Sequence, residues 1–248
     1  MGKYEKKKSR KNVIINLLSI IFLILLLISS IEIIKWYKEN RKNQKVQEKI
    51  SEAIIIDEEE TLIDFNKLKQ INKDTVGWLK VNGTDIEYAI VKTNDNSYYL
   101  EHNFEKEYNK AGWIFADYKN KLDGTDKNIV IYGHNRRDGS MFSSLKNILK
   151  EEWYSKEKNR KITFITEKEE SIYEVFSIYQ IEAEDYYITT KFEDGEFLEY
   201  IQTVKNRSIK DFNIEVSKED NILTLSTCGN DNDYRVVLHA RKVKNGEN

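Results

Sequence analysis

The stretch Ile222-Leu-Thr-Leu-Ser-Thr-Cys228, followed by Arg235, decides how the rest of the chain is read. Its apolar and β-branched residues predict a buried strand. That strand ends on the single cysteine of the 248-residue chain. A turn-rich segment, Gly229-Asn-Asp-Asn-Asp233, comes next, and then a second strand, Tyr234-Arg-Val-Val-Leu-His-Ala240. If the two strands form a hairpin, Cys228 and Arg235 face each other across the base of the loop. A guanidinium beside a thiol favours the thiolate, and its fork of donors can hold an oxyanion.

Working outward, Asn128-Ile-Val-Ile-Tyr132 is apolar on both faces and predicts a central strand that delivers Gly133-His134. Trp78–Val81 and Ile86–Val91 flank Asn82-Gly83, a strong hairpin signal. Gly112–Ala116 reads as a short strand, and 161–165 with 171–181 as a strand pair. Helical spacing marks 61–71 through Leu62, Phe65, Leu68 and Ile71, and 141–149 through Met141, Leu145 and Ile148. It also marks 194–205 through Phe197, Ile201 and Val204. Many short strands with tight turns and few helices predict a mainly β barrel or sandwich with helical additions.

The N-terminal region has a different character. Lys3, Lys6, Lys7, Lys8, Arg10 and Lys11 stand against Glu5 before a nearly uninterrupted apolar run from Val13 to Ile31. A helix of that length spans roughly 28 Å, about the hydrocarbon core of a bilayer. A cleaved signal peptide has a shorter apolar region and a small-residue cleavage site. Here Glu32, Ile33, Ile34, Lys35 and Trp36 follow, which favours an uncleaved signal-anchor. The expected organisation is a basic cytoplasmic tail (1–12), a transmembrane helix (13–34), a charged helical stalk (35–60) and an extracellular domain (61–248). Charged residues make up 33% of the chain, which suits a soluble exported domain. A basic cluster confined to one end fits a membrane surface, and Asn135-Arg-Arg137 is too short to argue for nucleic acid.

The candidate chemistry rests on three residues. Cys228 offers a nucleophile, His134 a proton partner and Arg235 an oxyanion donor, so each role of acyl transfer through a thiol is filled once. Of the other two histidines, His102 lies in a polar loop and is expected to be solvated. His239 shares a strand face with Arg235 but sits four residues along, where it could line the cleft without reaching Cys228. Three scattered histidines and one cysteine supply no metal-ligand cluster, and no phosphate-binding glycine loop is present. On these residues alone a transpeptidase, a surface cysteine protease that only hydrolyses and a non-catalytic tethered binding domain all stay open.

Thr224-Leu-Ser-Thr-Cys228 resembles the Thr-Leu-x-Thr-Cys signature of sortases, the membrane-anchored cysteine transpeptidases of Gram-positive bacteria. Tyr132-Gly-His134 is similar to the family's histidine site, and Arg235 falls where its arginine follows the cysteine. The N-terminal helical addition, the helix near 194–205 and Asp95-Asn-Ser-Tyr-Tyr-Leu100 resemble class B. The resemblance implies an eight-stranded sortase-type β-barrel with an N-terminal helical extension and a helix between strands 6 and 7. It implies catalysis by His134, Cys228 and Arg235, and a substrate groove lined by Asn96, Leu100, Tyr132 and Ser226. The implied partners are secreted proteins bearing an Asn-Pro-x-Thr-Gly-like C-terminal sorting signal, cleaved at the Thr carbonyl, and an amine of a peptidoglycan precursor. No cofactor is implied.

Overall fold

The computed structural model describes the backbone of residues 2–57, 60–228 and 234–244, and their side chains except at 2–10, 55–57, 60–61 and 228. It divides into two units, residues 1–44 and 45–248. The first is helical throughout its described length, as part of α1 (Gly2–Ser51). Its apolar segment is long and apolar enough to cross a membrane.

In the second unit the last turns of α1 bury Val46 and Ile50, and Ala53 is buried just beyond it. A two-stranded antiparallel sheet follows, β1 (Ile54–Asp57) and β2 (Glu60–Ile63). Helical spacing across 61–71 therefore overreached. Leu62 belongs to the hairpin and is exposed. Helix α2 (Phe65–Ile71) starts only at Phe65, where Asp64 caps it by accepting from the Lys67 amide at 3.0 Å.

Eight strands then close a barrel: β3 (Thr75–Val81), β4 (Glu87–Val91), β5 (Phe115–Ala116), β6 (Asn128–His134), β7 (Lys161–Ile165), β8 (Glu170–Glu182), β9 (Ile222–Cys228) and β10 (Tyr234–Lys242). Their order around the barrel is β10-β8-β7-β3-β4-β5-β6-β9. Pairing is antiparallel except for β4–β5 and β6–β9. The expected strand at 112–116 shrinks to two residues. The expected helix at 141–149 is a 3-10 segment, Ser143–Leu149, with the short α3 (Glu151–Tyr154) after it. Helix α4 (Glu196–Arg207) lies between the sixth and seventh barrel strands, and it carries acidic residues in its first turn and basic ones in its last, favourable to the helix dipole.

The alternation of the last strands builds two cores. Leu223 and Leu225 of β9 and Val236 and Leu238 of β10 point into the barrel. Ile222 and Val237 point the other way, into a second cluster with Phe197, Tyr200, Ile201 and Val204 of α4. Each such aliphatic side chain removed from water contributes roughly 1.5–3 kcal/mol. With both faces of β9 covered, a one-residue slip in register would exchange the two sets and is strongly disfavoured.

Candidate active site

Parallel pairing brings the ends of β6 and β9 to the same mouth of the barrel. The register runs from Asn128↔Ile222 through Tyr132↔Ser226 and Gly133↔Thr227 to His134↔Cys228. The histidine and cysteine of the sequence reading are thus backbone neighbours on adjacent strands. On the other side of β9, β10 pairs antiparallel, with Val237 opposite Ser226. The Val236 amide also donates to Thr227 Oγ1 at 2.9 Å. The β9–β10 ladder ends at Val237 and Ser226, two residues short of Arg235 and Cys228. The connecting segment 229–233 and the Cys228 side chain lie outside the described residues. Arg235 is half-buried, and its Nη1 donates to the Tyr234 carbonyl at 3.2 Å.

Gly133, between the tyrosine and histidine of β6, has a packing reason. A Cβ there would lie 2.6 Å from the Phe142 ring. Phe142 is fully buried, and its amide donates to the His134 carbonyl at 3.0 Å. The glycine lets this aromatic press against β6 and fix the strand end that carries the imidazole.

His134 is half-buried and held from one side. Its Nε2 lies 2.8 Å from the Leu100 carbonyl. A carbonyl only accepts, so Nε2 carries the proton. Nδ1 is buried and has no hydrogen-bond partner among the described residues. Burial pushes the imidazole pKa below its usual value; the Leu100 carbonyl opposes this, the Arg136 guanidinium adds to it and Glu101 opposes it. The outcome is a neutral ring with an open lone pair on Nδ1, the state a proton acceptor needs.

The four candidate groove residues fall into three settings. Asn96 and Tyr132 converge on one buried carboxylate: Asn96 Nδ2 and the Tyr132 hydroxyl each donate to Asp117 Oδ2 at 2.8 Å. Asn96 also accepts from the Tyr118 amide at 3.0 Å, so its orientation is fixed. Leu100 ends a 3-10 turn (Tyr98–Leu100) and meets His134 through its main chain. Ser226 is buried, with its hydroxyl 3.2 Å from that of Tyr187. The sequence reading missed Asp117 and Tyr187. A single carboxylate in a polar-aromatic segment carries no signal of its own until the fold brings Asn96 and Tyr132 to it.

The remaining histidines differ from expectation. His102 is not simply solvated: its ring stacks on Tyr98 with centroids 4.0 Å apart, and its Nδ1 donates to the Tyr98 carbonyl at 2.8 Å. His239 lines no cleft, for it is fully buried beneath α4. Thr224 uses its only hydroxyl proton on Asn128 Oδ1 at 2.7 Å, so its oxygen accepts from His239 Nδ1 at 2.9 Å. Nε2 therefore accepts from the Tyr179 hydroxyl at 2.8 Å. Burial, aided by the Arg207 charge, lowers the His239 pKa to about 3.

Residues 79–243 match the model of the sortase domain. Sortase B of Listeria monocytogenes is 38% identical over 217 residues, 83% of this chain and 87% of the relative. Sortase B of Staphylococcus aureus is 32% identical over 238 residues, 93% of this chain and 97% of the relative. The crystal structure of sortase B from Bacillus anthracis superposes with a TM-score of 0.74 at 36% identity, covering 84% of this chain and 99% of that one. The closed eight-stranded barrel, the α4 insertion and these matches converge, and the chain belongs to the sortase B family of cysteine transpeptidases.

Proposed function

We propose that Cys228, His134 and Arg235 are the catalytic residues of this transpeptidase, acting on a C-terminal sorting signal of Asn-Pro-x-Thr-Gly-like type. The observation that carries the proposal is the β6–β9 register, which makes His134 and Cys228 backbone partners while leaving His134 Nδ1 open. Cys228 gives its proton to Nδ1, and the thiolate attacks the Thr carbonyl carbon to form a C–S bond. The resulting oxyanion is held by the Arg235 guanidinium. The intermediate collapses, the C–N bond breaks, and the leaving amine takes the proton from Nδ1. An acceptor amine then attacks the thioester and passes a proton to Nδ1; the new C–N bond stays, the C–S bond breaks, and the departing Cys228 thiolate takes the proton back from Nδ1. Asn96, Leu100, Tyr132 and Ser226 are proposed to line the substrate groove. For Asn96 and Tyr132 the support is the shared carboxylate of Asp117, which makes them one rigid unit.

The apolar helix serves as a single-pass anchor, with the basic tail in the cytoplasm and the barrel outside, next to secreted substrates and the amine of a peptidoglycan precursor. The test is mass spectrometry of the full chain incubated with Asn-Pro-x-Thr-x peptides carrying Gly or Asn at the fifth position. The expected result is a thioester on Cys228, resolved into an amide product when an oligoglycine or diaminopimelate peptide is added. Full turnover by Cys228→Ala would sink the proposal, and acid as the sole product in the presence of amine would make the protein a hydrolase.

A further inference from the structure

We propose that Gly112 is a positioning residue for His134, fixing the imidazole by having no side chain. This rests on the reading of His134 as the proton partner. Gly112 has φ of +59°, in the left-handed region. A Cβ there would lie 2.5 Å from the Tyr99 carbonyl oxygen, 2.8 Å from that of Leu100 and 2.9 Å from His134 Cδ2. None of these atoms is the free end of a flexible chain. Two are main-chain oxygens of the turn that receives His134 Nε2, and the third belongs to the ring itself.

The glycine cannot retreat either. Its amide donates to the Asn109 carbonyl at 2.9 Å, and the next amide, of Trp113, donates to the Tyr99 carbonyl at 2.9 Å. Trp113 is buried, with its indole nitrogen donating to the Ala89 carbonyl at 2.8 Å. The imidazole is therefore wedged between the Leu100 carbonyl and the Gly112 backbone.

The direction of the push matters. Cδ2 is bonded to Nε2, so a methyl group at position 112 levers Nε2 off the Leu100 carbonyl. That contact alone assigns the proton to Nε2 and leaves Nδ1 open. Without it the tautomers mix, and the ring turns away from the end of β9.

The matched controls are Gly83 and Gly124. Gly83 has φ of +71° and its Cβ would meet the Asn159 side chain, whereas Gly124 has φ of +91° and nothing within 4 Å. Gly124→Ala carries backbone strain alone, and Gly83→Ala carries strain plus crowding that does not reach His134. In the full chain, labelled at histidine with ¹⁵N and solubilised in detergent, the wild-type His134 signal should report an Nε2–H tautomer. Gly112→Ala should lose it, while both controls keep it. Acylation of Cys228 by an Asn-Pro-Gln-Thr-Asn peptide should fall roughly tenfold or more in Gly112→Ala, since an ångström of misplacement costs rates of that order. The controls should stay within about twofold of wild type by the same reasoning.

An unchanged Nε2–H signal in Gly112→Ala overturns the proposal. Full turnover in His134→Ala overturns instead the reading beneath it. Should Gly112→Ala not fold, the change is repeated in a His134→Ala background. Recovery of stability there supports the wedge, and equal instability with and without the imidazole overturns it.

Discussion

Two histidines stand on the strands that flank β9, and they serve opposite ends. His239, on β10, has both ring nitrogens engaged: Nδ1 donates to Thr224 and Nε2 accepts from Tyr179. The network continues through Asn128 to the Thr189 carbonyl and to Tyr200, whose hydroxyl donates to the Tyr187 carbonyl at 2.7 Å. Such a fully satisfied buried network rigidifies the sheet and its α4 cover. His134, at the end of β6, has Nε2 occupied and Nδ1 free among the described residues. Both rings are depressed in pKa by burial, so burial does not separate them. The unused lone pair does. His239 has nothing left to bond, and the open Nδ1 of His134 at the end of β6 is what the proposed proton exchange requires.

Exchanging the roles of the two side chains tests this contrast. His134→Gln should lower turnover by about 10²–10⁴-fold, the usual worth of a positioned acid–base group. Its melting temperature should stay close to wild type, and a drop as large as that of His239→Ala would erase the distinction. His239→Ala should show the reverse. It leaves a cavity and removes the acceptor of the Tyr179 hydroxyl proton, for a loss of about 3 kcal/mol, or about 6–12 °C in a domain of this size. Turnover per folded molecule should be nearly unchanged, as measured by active-site titration below the transition.

Acid provides a third test. The folded pKa of His239 is lowered to about 3, whereas the unfolded chain protonates near the usual histidine value. Between these values the unfolded state binds more protons, so stability is complete above about pH 6.5 and declines as pH falls toward the folded pKa. His134 acts in the same direction. Thermal melts from pH 7 to 4 should therefore show a falling transition that flattens in His239→Gln. The smallest effect is expected from Tyr179→Phe, which deletes the hydroxyl's hydrogen bond to His239 and its contact with the half-exposed Arg207 and should cost about 1 kcal/mol by denaturant titration. A larger loss would mean that the hydroxyl's contact with Arg207 matters more than its contact with the ring.

The barrel was legible because its strands alternate or run apolar between clear turns, as at 128–132 and 222–228. The candidate residues were legible as far as strand ends reveal them: His134 and Cys228 each close an apolar run, and their strands pair in parallel register. What stayed hidden is what only close packing creates. His239 reads as a residue that could line the cleft, because it shares a strand face with Arg235, yet it is fully buried and joins Thr224 and Tyr179 in a hydrogen-bonded network. The hydrophobic spacing at 61–71 ran on through a hairpin because Leu62 happened to continue the stripe. The helix start was carried instead by Asp64. Gly112 looked like the first residue of a strand, and no pattern in the sequence tells what a Cβ there would strike.

The parallel seam between β6 and β9 also governs when the protein becomes competent. The hydrogen bond from Thr224 to Asn128 joins residues 96 positions apart. Contacts of such separation form only after a long loop has closed, which makes them slow to appear during folding. In the chain β6 (Asn128–His134) precedes β9 (Ile222–Cys228), so the histidine strand is made well before the cysteine strand. Until the barrel shuts, the imidazole and the thiol belong to unconnected parts of a growing sheet. On the proposed roles of His134 and Cys228, activity is thereby reserved for molecules whose β6–β9 seam has closed.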